Sequence, residues 1–349
     1  MDTKIIATVG PKSEDYNILK SMALSGLDII RLNFSHAKYE QYYKIKENID
    51  KIKEELGITI KIIFDLQGPR IRIGKLKHEI IMSEGEIYTF FYNKGNIDNL
   101  EITIDDSELI NDLVLGDLLF LDNGSIELKI IEVDLLGKKF MAKVERGGPL
   151  LSRKGVNVPN TVFNRDILTA KDLLDIEFAK KNPPDFVAVS FVQNSNDILQ
   201  VKKKLDNDKI KIISKIEREI ALRNIDDIIK VSDAIMIARG DLGIEVPLED
   251  LPIIQKNLVR HAHWHNKPAI VATQMMASMV DYYRPTRAEV SDVANAIFDG
   301  ADALMLSDET AVGAYPVETV AMMRKIINKT NNYFNNRNYF EESEILYKK

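Results

Sequence analysis

The chain has no cysteine in 349 residues, which excludes a disulfide framework and thiolate chemistry. It lacks any apolar run near the ~18 residues needed to span a bilayer. The opening "MDTKIIATVG" enters a strand pattern directly, without the charged-then-apolar segment of a secretory signal. Net charge is only −6, with both signs interspersed, so nucleic acid and anionic membrane are poor main partners. The lysines between 202 and 209 read as a solvated helix face. The expectation is a soluble, cytosolic protein.

What is present is a large amount of core. Apolar residues make up 45% and charged residues 29%, so disorder is disfavoured. The length permits a large α/β barrel or two domains. Eight short β-branched runs recur, at 4–10, 28–35, 60–66, 185–191, 210–217, 233–241, 269–274 and 301–309. Their nearly continuous apolar character marks strands buried on both faces, as in a parallel sheet. Helical patterns lie between them, at 14–25, 38–56, 169–181, 195–205, 218–231, 250–265 and 286–299, with a last one at 316–333. Strand–helix alternation repeated eight times predicts an α/β fold, a (β/α)8 TIM barrel. Thr286 and Glu289 have capping-box spacing, and Pro316 suits a first helical turn.

The pattern breaks once. From about residue 70 to 154, short strands and turn signals ("KGN", "DNGSIELKI", "LLGKKF", "RGGPL") replace it. This predicts an all-β insertion after barrel strand 3, a lid at 70–154, with 1–69 and 155–349 forming the catalytic barrel. An insertion at the C-terminal end of a barrel strand sits where active sites are built.

The strands turn polar as they finish. Side chains two apart share a face in a strand, so Arg31, Asn33 and Ser35 point together, as do Lys215 with Glu217 and Arg239 with Asp241. Asp65, Ser190, Thr273, Ser307 and Glu309 end other strands. Any one of these would be an ordinary cap; several on one rim suggest a site. Glu217 and Asp241 are hard oxygen ligands suited to Mg²⁺. Arg31 and Lys215 are cations beside them, and Arg72 and Lys154 border the insertion. Carboxylate-held Mg²⁺ with fixed cations is what phosphoryl transfer requires. The "ARGDLGIEVP" stretch places glycines and backbone amides just past strand 6, a seat for a small carboxylate.

Three features read as structural. "RGD" at 239–241 ends a buried-type strand and does not suit adhesion. His261 and His265, spaced i, i+4, read as a surface helix without a carboxylate partner. Met275, Met276 and Met279 read as core beside strand 7.

Nine ordered motifs, "TKIIATVGP", "RLNFSH", "DLQGP", "KGVNVP", "SKIE", "ARGDLGIE", "ATQMMASM", "RPTRAEVSDVANA" and "LSDETAVGAYP", together resemble the pyruvate kinase family over the whole barrel and lid. The resemblance implies Mg²⁺- or Mn²⁺-dependent transfer of a phosphoryl group from phosphoenolpyruvate to ADP, giving pyruvate and ATP. By position, it implies that Arg31 binds the substrate phosphate and Lys215 stabilises the transferring group. Glu217 and Asp241 would hold the divalent metal. Gly240, Asp241 and Thr273 would seat the substrate carboxylate. Asn33, His36, Arg72 and Lys154 match nucleotide-side positions, and Ser307 would start a relay that protonates the enolate carbon.

In most of the family a monovalent cation sits beside the substrate phosphate, at positions matching Asn33, Ser35, Asp65 and the carbonyl of Leu66. Members that need K⁺ carry glutamate at the position of Arg70. Here Leu66, Gln67 and Ile73 match the K⁺-independent pattern, and Arg70 keeps a positive charge where those members have lysine. A guanidinium is always charged, and a unit charge ~4 Å from phosphate is worth about 4 kcal/mol before desolvation at an effective dielectric near 20. K⁺ is therefore expected not to be required.

The chain departs from the family pattern at Asp308, commonly glycine, and at Gln193, commonly arginine. It also stops where typical members continue into a C-terminal regulatory domain, so hyperbolic kinetics without sugar-phosphate activation are expected. A homodimer through the barrel face is compatible with the sequence. Two other functions remain open on the residues alone: a metal-enolate lyase on a related barrel, and an inactive paralogue that binds metabolites or a partner.

Overall fold

A computed structural model describes residues 3–92, 100–159 and 161–335. The turn expected at 94–96 and the tail 336–349 lie outside the described residues. The chain enters the barrel through Lys4–Thr8 (β1), Ile29–Asn33 (β2) and Lys61–Asp65 (β3). It then leaves for a β-rich unit made of Ile80–Met82 (β4), Ile87–Tyr92 (β5), Glu101–Ile104 (β6), Leu118–Leu121 (β7), Ile126–Asp134 (β8), Lys139–Arg146 (β9), Gly148–Leu150 (β10) and Val156–Asn157 (β11). It returns through Phe186–Val189 (β12), Lys211–Ile216 (β13), Ala234–Ala238 (β14), Ala269–Ala272 (β15) and Ala303–Leu306 (β16). The eight barrel strands close in the order β1-β16-β15-β14-β13-β12-β3-β2, every pair parallel. The β-rich unit is a six-stranded sheet with a separate two-stranded ribbon. It is not entirely β, because Leu109–Asp112 forms one helical turn.

Strand parity divides the barrel core into two layers. Ile6, Ile63, Ala188, Ile213, Met236, Ile270 and Met305 pack inside the barrel. Their neighbours Ile5, Ile62, Val187, Ile212, Ile235, Val271 and Leu304 face the surrounding helices. A period-2 strand buried on both faces requires apolar residues at every position, and this is why these runs read as continuous. The β-rich unit has its own core, from Ile71 to Phe163, around the stacked pair Phe90–Phe140.

Helix starts follow local chemistry. Thr286 accepts from the Glu289 N–H while Glu289 accepts from Thr286, a closed capping box, and Pro316 opens the final helix. Met275, Met276 and Met279 are fully buried. Among the described residues, no helix is long and apolar enough to cross a membrane.

Two barrel strands are shorter than their apolar runs suggest. β14 stops at Ala238 and Arg239–Glu245 is helical; β16 stops at Leu306 and Asp308–Ala311 is helical. Arg239 and Asp241 therefore do not share a strand face, since residues two apart on a helix point away from each other. Glu309 likewise belongs to a helical turn. The helical pattern at 218–231 is also broken, into Glu219–Arg223 and Ile225–Val231. At the break, the Asn224 amide donates to the carbonyls of Gln193 and Ile220.

Candidate active site

Parity also selects the residues that reach the barrel mouth. Arg31 is two residues beyond Ile29, Asp65 beyond Ile63, Ser190 beyond Ala188, Lys215 beyond Ile213 and Ser307 beyond Met305, and all five predecessors pack on the inner layer. Each polar side chain therefore inherits an inward direction and emerges at the C-terminal rim.

There the chain builds a buried charge cluster. Arg31 Nε donates to Asp65 Oδ2 at 2.5 Å and its Nη1 to Thr8 Oγ1 at 3.0 Å. Lys215 Nζ lies 3.2 Å from Asp65 Oδ1, 2.7 Å from Ser190 Oγ and 2.9 Å from Glu217 Oε1. Ser190 Oγ in turn donates to the Leu66 carbonyl at 2.8 Å. Burial alone would push the Asp65 carboxyl up, but the charges of Lys215 and Arg31 outweigh it and hold the group below its ordinary range. For Lys215, burial disfavours the ammonium, yet Asp65 and Glu217 raise its pKa overall, so it stays charged.

Glu217 behaves differently. Burial pushes its carboxyl up; Lys215 opposes this, and the neighbouring Asp241 adds repulsion. One of its oxygens accepts the Phe191 N–H at 2.7 Å, from a residue held at φ 56°. Two carboxylates this close, one of them buried, are a donor set that a divalent cation would satisfy. Among the described residues no group of three or more His, Asp or Glu side chains forms a metal cage. The Glu217 and Asp241 pair fits Mg²⁺, which uses one or two carboxylates and takes its remaining ligands from water and substrate.

Beside Asp241, Gly240 and Thr273 nearly touch. A Cβ on Gly240 would fall 2.7 Å from Thr273 Cγ2. Thr273 itself has φ 78° and Gln274 φ 56°, a conformation costly for a β-branched residue. Arg239 holds it, donating to the Thr273 carbonyl at 2.8 Å while pairing with Asp292 at 2.7 Å. The "RGD" arginine is thus committed inside the protein.

Asn33 and His36 line a cleft of about 580 Å³ with Arg31 and Asp308, so the aspartate that departs from the family pattern faces this space. Arg72 and Lys154 lie on the β-rich unit. Lys154 pairs with Asp122 at 2.9 Å, and the Arg72 N–H donates to Asp105 at 2.7 Å. Burial pulls the Arg72 guanidinium down, helped by the nearby charges of Arg70 and Arg153 and opposed by Asp105. Arg70 is exposed and lines a narrow space of about 20 Å³ with Asp241. No ion pair joins it to Asp65, whose partners are Arg31 and Lys215. Ser35 is half-buried just past β2, and the Ser307 N–H is fixed by Glu309 at 2.7 Å.

The sequence reading missed several participants. Thr8 lies inside the first motif without a role of its own there, and the Phe191 N–H carries no motif. Arg218 and Glu245 form a buried pair at 3.5 Å; Arg218 was signalled only by its charge next to Glu217, and Glu245 only by ending the motif that contains Asp241. His261 and His265 do have a carboxylate: both rings contact Asp226 Oδ1, at 3.0 and 3.3 Å, which was hidden because Asp226 lies on another helix.

Known proteins share this architecture. A family model described as pyruvate kinase, barrel domain, matches residues 1–320. A pyruvate kinase of Agrobacterium vitis is 44% identical over 344 residues, covering 98% of this chain and 71% of that protein. One from Geobacillus stearothermophilus is 40% identical, covering 97% of this chain and 59% of that protein. A crystal structure of a pyruvate kinase from Cryptosporidium parvum superposes with a TM-score of 0.89 at 34% identity, covering 95% of this chain and 69% of that one. With its barrel matched in sequence and in fold, the chain belongs to the pyruvate kinase family of phosphotransferases.

Proposed function

We propose that this chain transfers the phosphoryl group of phosphoenolpyruvate to ADP with Mg²⁺ and without a K⁺ requirement. The observation that carries the reading is the buried cluster of Asp65, Arg31, Lys215 and Glu217 at the barrel rim. Arg31 and Lys215 are fixed cations for a phosphoryl group whose charge spreads over its oxygens during transfer. The enol P–O bond breaks, a bond forms to the terminal phosphate oxygen of ADP, and the electron pair passes to the enolate. Protonation of the enolate carbon then gives pyruvate, with Ser307 as the start of the proton path. Glu217 and Asp241 would hold a divalent cation, which supplies charge neutralisation to the enolate and phosphate oxygens. Gly240, Asp241 and Thr273 seat the substrate carboxylate, and Asn33, His36, Arg72 and Lys154 serve the nucleotide. The insertion at 70–154 acts as the lid, since its base carries the cations that face ADP.

The direct test is pyruvate release with ADP and Mg²⁺, run with K⁺ and with tetramethylammonium in its place. Equal rates are expected. Arg70 keeps a positive charge near Asp241 at the rim, so a recruited cation is not needed there. Arg70→Glu should lose several-fold in activity without K⁺ and regain it when K⁺ is added. A wild type that is inactive without K⁺ would refute this part of the reading.

Gly240→Ala tests the carboxylate seat. The added methyl meets Thr273 Cγ2, and neither φ 78° at Thr273 nor its branched side chain leaves room to yield. The half-saturating phosphoenolpyruvate concentration should rise by about tenfold or more, the scale of a slight misplacement. An unchanged value in steady-state kinetics would remove Gly240 from the seat.

A further inference from the structure

Residues 158–159 and 161–163, which lead back from the β-rich unit into the barrel, belong to no strand or helix. Their backbone groups must still be satisfied, and two barrel side chains do much of this. The Gln193 amide takes both groups of Phe163, accepting its N–H and donating to its carbonyl, each at 3.0 Å. Arg218, only 2% exposed, donates to the carbonyls of Thr161 at 2.6 Å and Val158 at 3.2 Å. It also donates to Gln193 Oε1 at 3.3 Å and pairs with Glu245 at 3.5 Å.

The Phe163 ring adds a second grip. The Arg218 guanidinium lies 4.1 Å from its centroid and that of Arg165 lies 4.9 Å away, a cation–π contact with each. Arg165 reaches into the β-rich unit, to Asp106 at 2.6 Å and Glu108 at 3.7 Å. The barrel ends of this network carry the metal carboxylates: Arg218 directly follows Glu217, and Glu245 lies one helical turn beyond Asp241. The return segment and the two carboxylates are thus tied to the same two elements.

We propose that Arg218 is a positioning residue, which fixes the lid's return segment so that the lid's nucleotide-facing cations lie over the metal carboxylates. The proposal rests on the kinase reading and goes beyond it by separating two partial reactions. Phosphoryl transfer to ADP needs the lid in register. Hydrogen exchange at the methyl carbon of pyruvate needs only groups of the barrel rim.

The test compares Arg218→Gln, Arg218→Lys and wild type, as full chains. Three quantities are measured on each preparation: KM for ADP, kcat for pyruvate formation, and exchange of pyruvate hydrogen in deuterated water. Arg218→Gln should raise the KM for ADP and lower kcat/KM by about 10²-fold, the scale of a small misplacement, while exchange stays near wild type. Arg218→Lys should fall between, because an ammonium lacks the planar fork that grips two carbonyls and stacks on a ring. Should Arg218→Gln fail to fold, Phe163→Leu keeps the Gln193 bonds, and the same split is expected at smaller size. Unchanged kinetics overturn the proposal, as do transfer and exchange that fall in equal proportion. A wild type that releases no pyruvate from phosphoenolpyruvate and ADP overturns the kinase reading, and this proposal with it.

Discussion

Lys215→Met is expected to abolish phosphoryl transfer while leaving proton exchange on pyruvate. Methionine nearly matches the side chain in length but brings no charge to the space between Asp65, Ser190 and Glu217. Loss of one preorganised donor to a developing oxyanion typically costs 10²–10³ in kcat, and here a full positive charge disappears as well. A fall in pyruvate formation of at least about 10³-fold is the predicted size. Exchange depends on stabilising the enolate, the task assigned to Glu217, Asp241 and their cation, so it should persist. Deuterium incorporation into pyruvate, followed by NMR beside a coupled transfer assay, reads both. Full kinase activity in the variant, or equal loss of both reactions, would remove Lys215 from its role.

Asp65→Asn is expected to weaken both the fold and the catalyst. Asp65 is fully buried between Arg31 and Lys215, which are themselves mostly buried. Lys215 would retain Glu217, but Arg31 would be left with neutral acceptors alone, the Thr8 hydroxyl and the amide oxygen of the substituted side chain. Removing one member of a buried pair costs about 3–5 kcal/mol, because the remaining charge is left uncompensated. Urea unfolding at neutral pH should show a loss on that order, and a difference below about 1 kcal/mol would contradict it. The pH dependence has a definite sign. Asp65 has a folded pKa below the ordinary 3.8, so its contribution is complete above that value and disappears as pH falls through the lower folded value. The wild-type acid limb below pH 3.8 should therefore be steeper than that of the variant.

These two residues show how far the sequence could be read. Arg31, Asp65 and Lys215 were legible as strand-end residues on one rim because period-2 parity is a local property. Parity failed where a strand ended early: Arg239 and Asp241 sit in a helix, since buried apolar residues continue from β14 into Leu242 without marking the change. The Phe191 N–H had no sequence signal, because a backbone donor is available at every residue. Its role depends on how the chain turns after β12, where Phe191 has a left-handed φ and its N–H meets Glu217. Asp226 was missed as the partner of His261 and His265 for a different reason, its position 35 and 39 residues away on a neighbouring helix.

The sequence by itself determined the alternation of strands and helices, the place of the insertion, the capped helix at Thr286 and the polar character of the rim. Those follow from hydrophobic period, turn chemistry and side-chain capping, all of which act within a few residues. Only the tertiary structure decided what Asp65 faces. The arginines just beyond it in "DLQGPRIR" do not pair with it; Arg31 and Lys215 do, from 34 and 150 residues away. Closure of the barrel brings those strand ends together, and the low dielectric of the buried rim makes their pairing far stronger than contact with an exposed neighbour in sequence.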